Sequence, residues 1–166
     1  MQQPSILKHL RDIIILPFTV TVIIPWLCYN KNQSLFPDSV IFEALSLVFF
    51  ISGLTLFFWS VYLFWAYGKG TLAPWTPTQK LIIRGPYKYC RNPMISGVFF
   101  VLLGETLFLN SLNILIIAGV FFIINTIYFI VMEEPDLQER FGKEYEEYKK
   151  NVPRWIPKLK PYTQGQ

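Results

Sequence analysis

Two short stretches hold the residues able to do chemistry. The first is Gly85-Pro86-Tyr87-Lys88-Tyr89-Cys90-Arg91-Asn92-Pro93-Met94-Ile95-Ser96-Gly97, a basic, turn-rich segment that runs straight into a long apolar run. Pro93 has no N–H and a fixed φ, so it suits the first turn of a helix. Asn92 before it is a good capping residue. A helix starting there turns its positive end and the N–H groups of Met94 and Ile95 toward an anionic group, with Arg91 beside them. The second stretch is Glu133-Glu134-Pro135-Asp136, where the last apolar run ends. Its carboxylates could face a cation. Each stretch also has a plainer reading. The first could be only the start of a membrane helix, with basic residues that fix its orientation. The second could be acidic residues that favour the dipole of a following helix.

The elements between the two stretches decide whether they meet. Met94 to Leu109 and Leu112 to Met132 are apolar runs joined by Asn110-Ser111, which predicts a tight helical hairpin. Asn92 and Glu133 then lie at the same end of that hairpin. Packed antiparallel helices sit about 8–10 Å apart, so a small polar molecule could bridge the two ends. The first of these runs is short for about 30 Å of hydrocarbon. It also contains Glu105. A carboxylate at membrane depth is costly and is usually functional or paired. Glu105 could be protonated, face a substrate channel, or snorkel to the far interface.

Upstream lie two more apolar runs, Ile13 to Tyr29 and Val40 to Tyr67, separated by the short loop 30–39. The first follows basic residues, as a signal peptide would, but ends Trp26-Leu27-Cys28-Tyr29-Asn30 with no small-residue cleavage site. It reads as a retained membrane helix with Pro17 and Pro25 as bend points. In the second, Ser46, Ser52, Gly53 and Ser60 would let another helix approach closely. Residues 68–93 form the longest connection. Its Gly and Pro residues prevent one continuous helix, and a long connection of this kind is more often functional than idle. After Pro135, the residues Leu137, Phe141, Tyr145 and Tyr148 recur at helical spacing. They predict an amphipathic helix lying on the membrane or folded onto residues 68–93, with Gly142 as a kink. The tail, with Pro153, Pro157 and Pro161, is expected to be extended, and Trp155 and Tyr162 suit a membrane interface.

Composition agrees with this layout. The chain has 166 residues, 52% of them hydrophobic and 17% aromatic, with a net charge of +4 and a mean hydropathy of +0.36. Of the 15 Lys and Arg residues, only Lys31 lies outside the N-terminus, residues 68–93 and the C-terminal region. Four spans put those three basic segments on one side, which the positive-inside rule makes cytoplasmic. The fold class is therefore all-α integral membrane: four transmembrane helices with a C-terminal helical hairpin, a cytoplasmic loop and an amphipathic C-terminal helix. Residues 1–166 form one domain, with 1–67 a two-helix anchor and 68–162 the catalytic region. The charges flank apolar runs, so no nucleic-acid partner is expected. A single histidine, His9, and two cysteines, Cys28 and Cys90, exclude a conventional zinc site, which takes about four such ligands. They also leave no Ser-His-Asp candidate. The two cysteines fall near opposite faces, so no disulfide is expected. Gly68-Lys69-Gly70 lacks the strand and helix context of a dinucleotide fingerprint.

The motif Gly85-Pro86-Tyr87…Arg91-Asn92-Pro93-Met94…Gly97, followed by Glu133-Glu134…Leu137…Phe141-Gly142…Tyr145…Tyr148…Val152-Pro153-Arg154…Pro157, resembles the isoprenylcysteine carboxyl methyltransferase family and its bacterial and phospholipid methyltransferase relatives. The likeness covers roughly residues 68–162. It implies an integral membrane enzyme, in a bacterium one of the inner membrane, with cytoplasmic termini. Such an enzyme transfers a methyl group from S-adenosylmethionine to a lipid-like acceptor: a prenylcysteine-type carboxylate or a related O-, S- or N-acceptor. Carried over, Leu81, Ile82, Tyr87, Asn92, Pro93, Met94, Ile95 and Glu133 would bind the cofactor. Arg91, Asn92, Glu133 and Glu134 are the catalytic candidates, and Glu105 and Phe129 the acceptor-side ones. Its partners would be the bilayer and a small amphiphile, with no metal. This chain departs from the pattern at three positions. Asn92 stands where the family usually has His, and Ile95 where a Tyr is frequent. Phe129 replaces an Arg that in eukaryotic members pairs with the substrate carboxylate, which leaves a lipid amine, a thiol or another amphiphile open. Two other readings stay open: an NADPH-dependent enzyme like the sterol reductases, which share a similar hairpin, and a non-catalytic membrane protein whose basic loops bind anionic lipid.

Overall fold

A computed structural model of the chain describes residues 11, 14–29, 34–37, 39–68 and 78–163. The expectations for Lys8, His9, Lys31 and the 69–77 part of the long connection lie outside the described residues. The regular elements among them are helices, with no strand; Ser34 and Ser111 form an isolated bridge. Helix α1 winds as a π-helix over Ile14–Ile23 and as an α-helix over Ile24–Cys28. Helix α2 is Val40–Gly68, α-helical to Leu63 and π-helical over Phe64–Gly68. Helix α3 is Pro93–Phe108, helix α4 is Leu112–Phe141, and helix α5 is Lys143–Asn151.

Two of these, α2 and α4, are long and apolar enough to cross a membrane, while α1 and α3 are shorter apolar helices. On α2, Val40, Leu47, Val48, Ile51 and Phe58 are exposed, and on α4 Ile116, Val120, Ile123, Ile127 and Val131 are. Exposed apolar faces of that length suit insertion into a membrane. At 16 residues, α3 reaches about 24 Å at 1.5 Å per residue, in keeping with its short apolar run.

The tightest packing is α2 against α3, and small residues make it. Ser46, Gly53 and Ser60 recur every seven residues along one stripe of α2, and all three are buried. A Cβ on Gly53 would fall 2.7 Å from the Gly97 carbonyl oxygen, and one on Gly97 would fall 2.8 Å from that of Gly53. Farther along, Gly104 meets the Ser46 carbonyl at 3.0 Å. The backbones touch because neither helix has a side chain in the way. The antiparallel pairing also brings the C-terminal end of α2 beside the start of α3.

At the hairpin tip, Asn110 takes a positive φ of 48°. Its side chain accepts from the N–H groups of Leu35 and Phe36 at 2.9 Å and donates to the Phe36 carbonyl at 2.6 Å. Asn113 donates to the Cys28 carbonyl at 2.8 Å. These bonds gather the α1–α2 connection onto the α3–α4 tip, opposite the ends that carry Asn92 and Glu133.

Pro135 does not stop the last apolar helix. A π-helical stretch, Phe129–Glu133, carries α4 through it to Phe141. The break comes at Gly142, whose φ of 54° is a conformation glycine adopts without strain. The single amphipathic helix read from the spacing is thus two pieces, the end of α4 and α5. Their apolar stripe folds onto the connection before α3: Tyr145, Tyr148, Val152 and Tyr162 form a cluster with Leu81, Ile83, Leu137 and Phe141. Along the extended chain, Ile82 points the other way, toward Leu63 and Tyr87. Tyr162 is therefore a core residue and not an interfacial one. Its N–H donates to the Lys88 carbonyl and its ring packs 6.0 Å from that of Tyr148.

Candidate functional site

A cavity of about 580 Å³ opens where the starts of α1 and α3 meet the ends of α2 and α4. That size suits a small-molecule site. Its deep wall is apolar, with Leu16, Pro17, Phe57, Val98 and Phe121. Its outer wall is mixed, with Thr78, Arg91, Asn92, Glu133, Asp136 and Arg140. Three π-helical stretches border it, supplying Leu16 and Pro17 from α1, Phe64 from α2, and Phe129, Met132 and Glu133 from α4. Such local widening recurs at functional sites.

The segment before α3 is held rigidly. Gly85 has a φ of 53° and opens a 3₁₀ turn, Gly85–Lys88. Tyr87 in that turn is buried and stacks on Phe64 at 5.7 Å, and its carbonyl accepts from the Tyr148 hydroxyl at 2.6 Å. Burial raises the pKa values of Tyr87 and Tyr148 well above the usual phenol value, so both stay neutral donors. Helix α3 begins at Pro93 as its sequence predicts, yet the Asn92 side chain makes no capping hydrogen bond. Its φ of −125° and ψ of 55° depart from the β-region geometry typical of a capping residue. The Asn92 backbone carbonyl instead accepts from the N–H and the hydroxyl of Ser96, each at 3.1 Å. The first-turn N–H groups of Met94 and Ile95 have no intrahelical acceptor, and both residues line the cavity.

The two neighbouring glutamates have different surroundings. Glu134 is buried, 4% exposed, outside the cavity wall. Its carboxylate accepts from Arg91 at 2.8 Å and Arg154 at 2.6 Å, and pairs with Lys149 at 2.9 Å. Arg91 also donates to the Tyr145 hydroxyl at 3.2 Å and the Val152 carbonyl at 3.0 Å. This hub ties α4, α5, the tail and the segment before α3 together. Glu133 lines the cavity and accepts only a long bond, 3.3 Å, from Tyr128. The cations that share that wall are committed elsewhere: Arg91 to Glu134, and Arg140 to Asp136 at 2.7 Å and to the Thr78 carbonyl. Among the described residues, Glu133 is the cavity carboxylate without an ion pair; Arg140, held by Asp136, acts on it only through longer-range charge.

The family model for phospholipid methyltransferases matches residues 42–144, from near the start of α2 to the first turn of α5. The chain belongs to the phospholipid methyltransferase family. Isoprenylcysteine carboxyl methyltransferase-like proteins are part of that family, so the resemblance read from the motifs points to the same place. The family is one of methyltransferases acting on lipid-like substrates. No curated protein matches the chain. The matched span holds α2, the hairpin, Arg91, Asn92 and Glu133, while Lys149 and Arg154 of the hub lie beyond it.

Most residues named from the sequence come together in this member of the family. Leu81, Ile82, Tyr87, Arg91, Asn92, Met94, Ile95, Phe129 and Glu133 all line the cavity. Pro93 is buried behind it and fixes the helix start. Glu134 faces the hub. Glu105 is far off, about 20 Å along α3 at 1.5 Å per residue, where one carboxylate oxygen is buried with no hydrogen-bond partner. The sequence reading missed Asn125, Tyr128, Asp136 and Arg140, which also line the cavity. Their signal was available: they fall at steps of three or four with Phe121, Phe129 and Glu133 on one face of α4. Leu16 and Pro17 carried no such signal.

Proposed function

We propose that this protein transfers a methyl group from S-adenosylmethionine to a lipid-like acceptor, within a four-span membrane fold whose termini are cytoplasmic. The observation that carries the reading is Glu133. It is a cavity carboxylate without an ion pair among the described residues, and it shares the cavity with a helix start whose first N–H groups lack intrahelical acceptors. A ligand with a carboxylate at one end and a cationic centre fits that pair of groups.

S-Adenosylmethionine, when bound, supplies a methyl group on a positive sulfur. Glu133 balances the positive charge, and the N–H groups of Met94 and Ile95 hold the carboxylate, with Asn92 and Pro93 setting their direction. Leu81, Ile82 and Tyr87 form the apolar wall around the rest of the molecule. Arg91 and Glu134 are positioning residues, because they hold the segment before α3 in register with α4. Phe121 and Phe129 keep the membrane-facing half dry and suit the hydrocarbon part of an acceptor. Asn92 cannot take a proton as a base would, so the rate comes from positioning and fixed charge.

The test is titration of purified protein with S-adenosylmethionine, with labelled methyl transfer to a lipid extract as a second readout. Glu133→Gln should weaken binding about 10–100-fold, the equivalent of one charge-assisted hydrogen bond. No binding by the unmodified protein, or undiminished binding by Glu133→Gln, would overturn the assignment.

A further inference from the structure

The C-terminal tail runs against the side of α4 and not away from it. The Trp155 ring lies 4.9 Å from that of Phe122 and 5.8 Å from that of Phe129. Phe122 in turn packs on Phe99 of α3 at 5.1 Å. The apolar run of α4 ends at Met132. At 1.5 Å per residue, Phe129 and Phe122 lie about 5 and about 15 Å inside that end. Trp155 is therefore seated below the membrane boundary. Its neighbours on the tail face outward: Ile156 is 80% exposed and Leu159 100% exposed.

The backbone of this segment is pinned to the turn before α3, which suits a position at the interface, where water still reaches its remaining polar groups. Pro153, Pro157 and Pro161 carry no N–H. The N–H groups of Lys158 and Tyr162 donate to the Tyr89 and Lys88 carbonyls, and the Pro153 carbonyl accepts from the Arg91 N–H. The charge suits it too. After Glu147 the chain has no acidic residue, while Lys158 and Lys160 flank Leu159. A long lysine can bury its stem beside lipid and reach a phosphate with its ammonium.

We propose that residues 155–160 form an interfacial wedge. Ile156 and Leu159 insert at the headgroup–acyl boundary beside the cavity, and exposed Lys160 engages a lipid phosphate, while the Lys158 ammonium stays on the Asn151 carbonyl at 3.0 Å. The partner is the bilayer itself. The proposal rests on α4 being embedded in lipid and is independent of the methyl-transfer reading.

The experiment uses the full chain in vesicles of phosphatidylcholine and phosphatidylglycerol. Leu159→Cys, in a Cys28→Ser background, carries an environment-sensitive fluorophore. Exposed Lys143 and exposed Val131, each replaced by Cys in separate variants, serve as water and lipid references. The label at 159 should emit blue-shifted, escape iodide quenching and be quenched by brominated lipid, as at 131. Emission and iodide quenching like those at 143 would overturn the proposal. So would protection that appears only when another protein is added. Ile156→Cys repeats the measurement should the first variant fail to fold.

Discussion

Glu134→Ala is the most discriminating substitution, because its neighbour supplies the control. The change removes one buried carboxylate and leaves Arg91, Arg154 and Lys149 without it. The three pairs are unequal. The Lys149 side chain is 46% exposed, so its pair is screened and adds about 0–1 kcal/mol. The Arg91 side chain is only 10% exposed, and losing one partner of a buried pair costs about 3–5 kcal/mol. Arg91 keeps the Tyr145 hydroxyl and the Val152 carbonyl, which places the expected loss near the low end, about 3 kcal/mol. That is a large share of the roughly 5–15 kcal/mol by which a domain is stable. Glu134→Gln keeps hydrogen bonding without the charge and should lose about 1.5–3 kcal/mol. Glu133→Ala removes a single 3.3 Å bond and should cost under about 1 kcal/mol. The assay is thermal unfolding of all three variants in one detergent, together with limited trypsin digestion after Lys158. The tail should be cut faster in Glu134→Ala alone. If Glu134→Ala unfolds where the unmodified protein does, or if Glu133→Ala is the less stable of the two alanine variants, the division into a structural and a ligand-facing glutamate is wrong.

Two further outcomes follow from the packing and the burial. Gly97→Ala sets a Cβ 2.8 Å from the Gly53 carbonyl and 2.9 Å from the Phe57 nitrogen. Neither backbone atom can yield without parting α2 from α3, so thermal unfolding should show a loss of about 1–3 kcal/mol. Gly119→Ala on α4 meets nothing within 4 Å and should gain about 0.5–1 kcal/mol; equal effects at the two sites would refute the close-contact account. Cys90 is buried, and burial pushes its thiol up to about 11 despite an opposing backbone hydrogen bond from Asn92. A raised value keeps the thiol protonated at pH 8, where only thiolate reacts. Iodoacetamide at that pH should label exposed Cys28 and spare Cys90 until the protein is denatured, and mass spectrometry of the digest reads the result.

Much of the layout was legible because membrane helices declare themselves locally. Apolar runs bounded by Asn, Pro and charge marked the first three helices to within a few residues, and Pro93 marked the start of α3, while α4 runs on past Met132 to Phe141. The stripe Leu137, Phe141, Tyr145 and Tyr148 declared an apolar face, and Gly142 its break. The sequence left two partners open for that face, the membrane surface and residues 68–93, and the fold takes the second. Leu81 and Ile83 lie more than fifty residues upstream, and only the folded chain puts them beneath Tyr145 and Tyr148. Pro135 sits inside α4 without ending it, for a physical reason. Near the start of a helical segment its missing N–H is harmless, and the π-helical stretch before it lets α4 continue.

The sequence by itself determined which residue types stand at the two ends of the hairpin: a helix start at Asn92-Pro93 and a pair of carboxylates at Glu133-Glu134. Composition and motif order carry that information, together with family membership, since both are local to the chain. The tertiary structure alone decided which glutamate faces the cavity. Adjacent residues on a helix point about 100° apart, so one pattern serves either assignment. Arg154 and Lys149 settle it by reaching Glu134 from beyond the hairpin, and Glu133 is left to line the cavity.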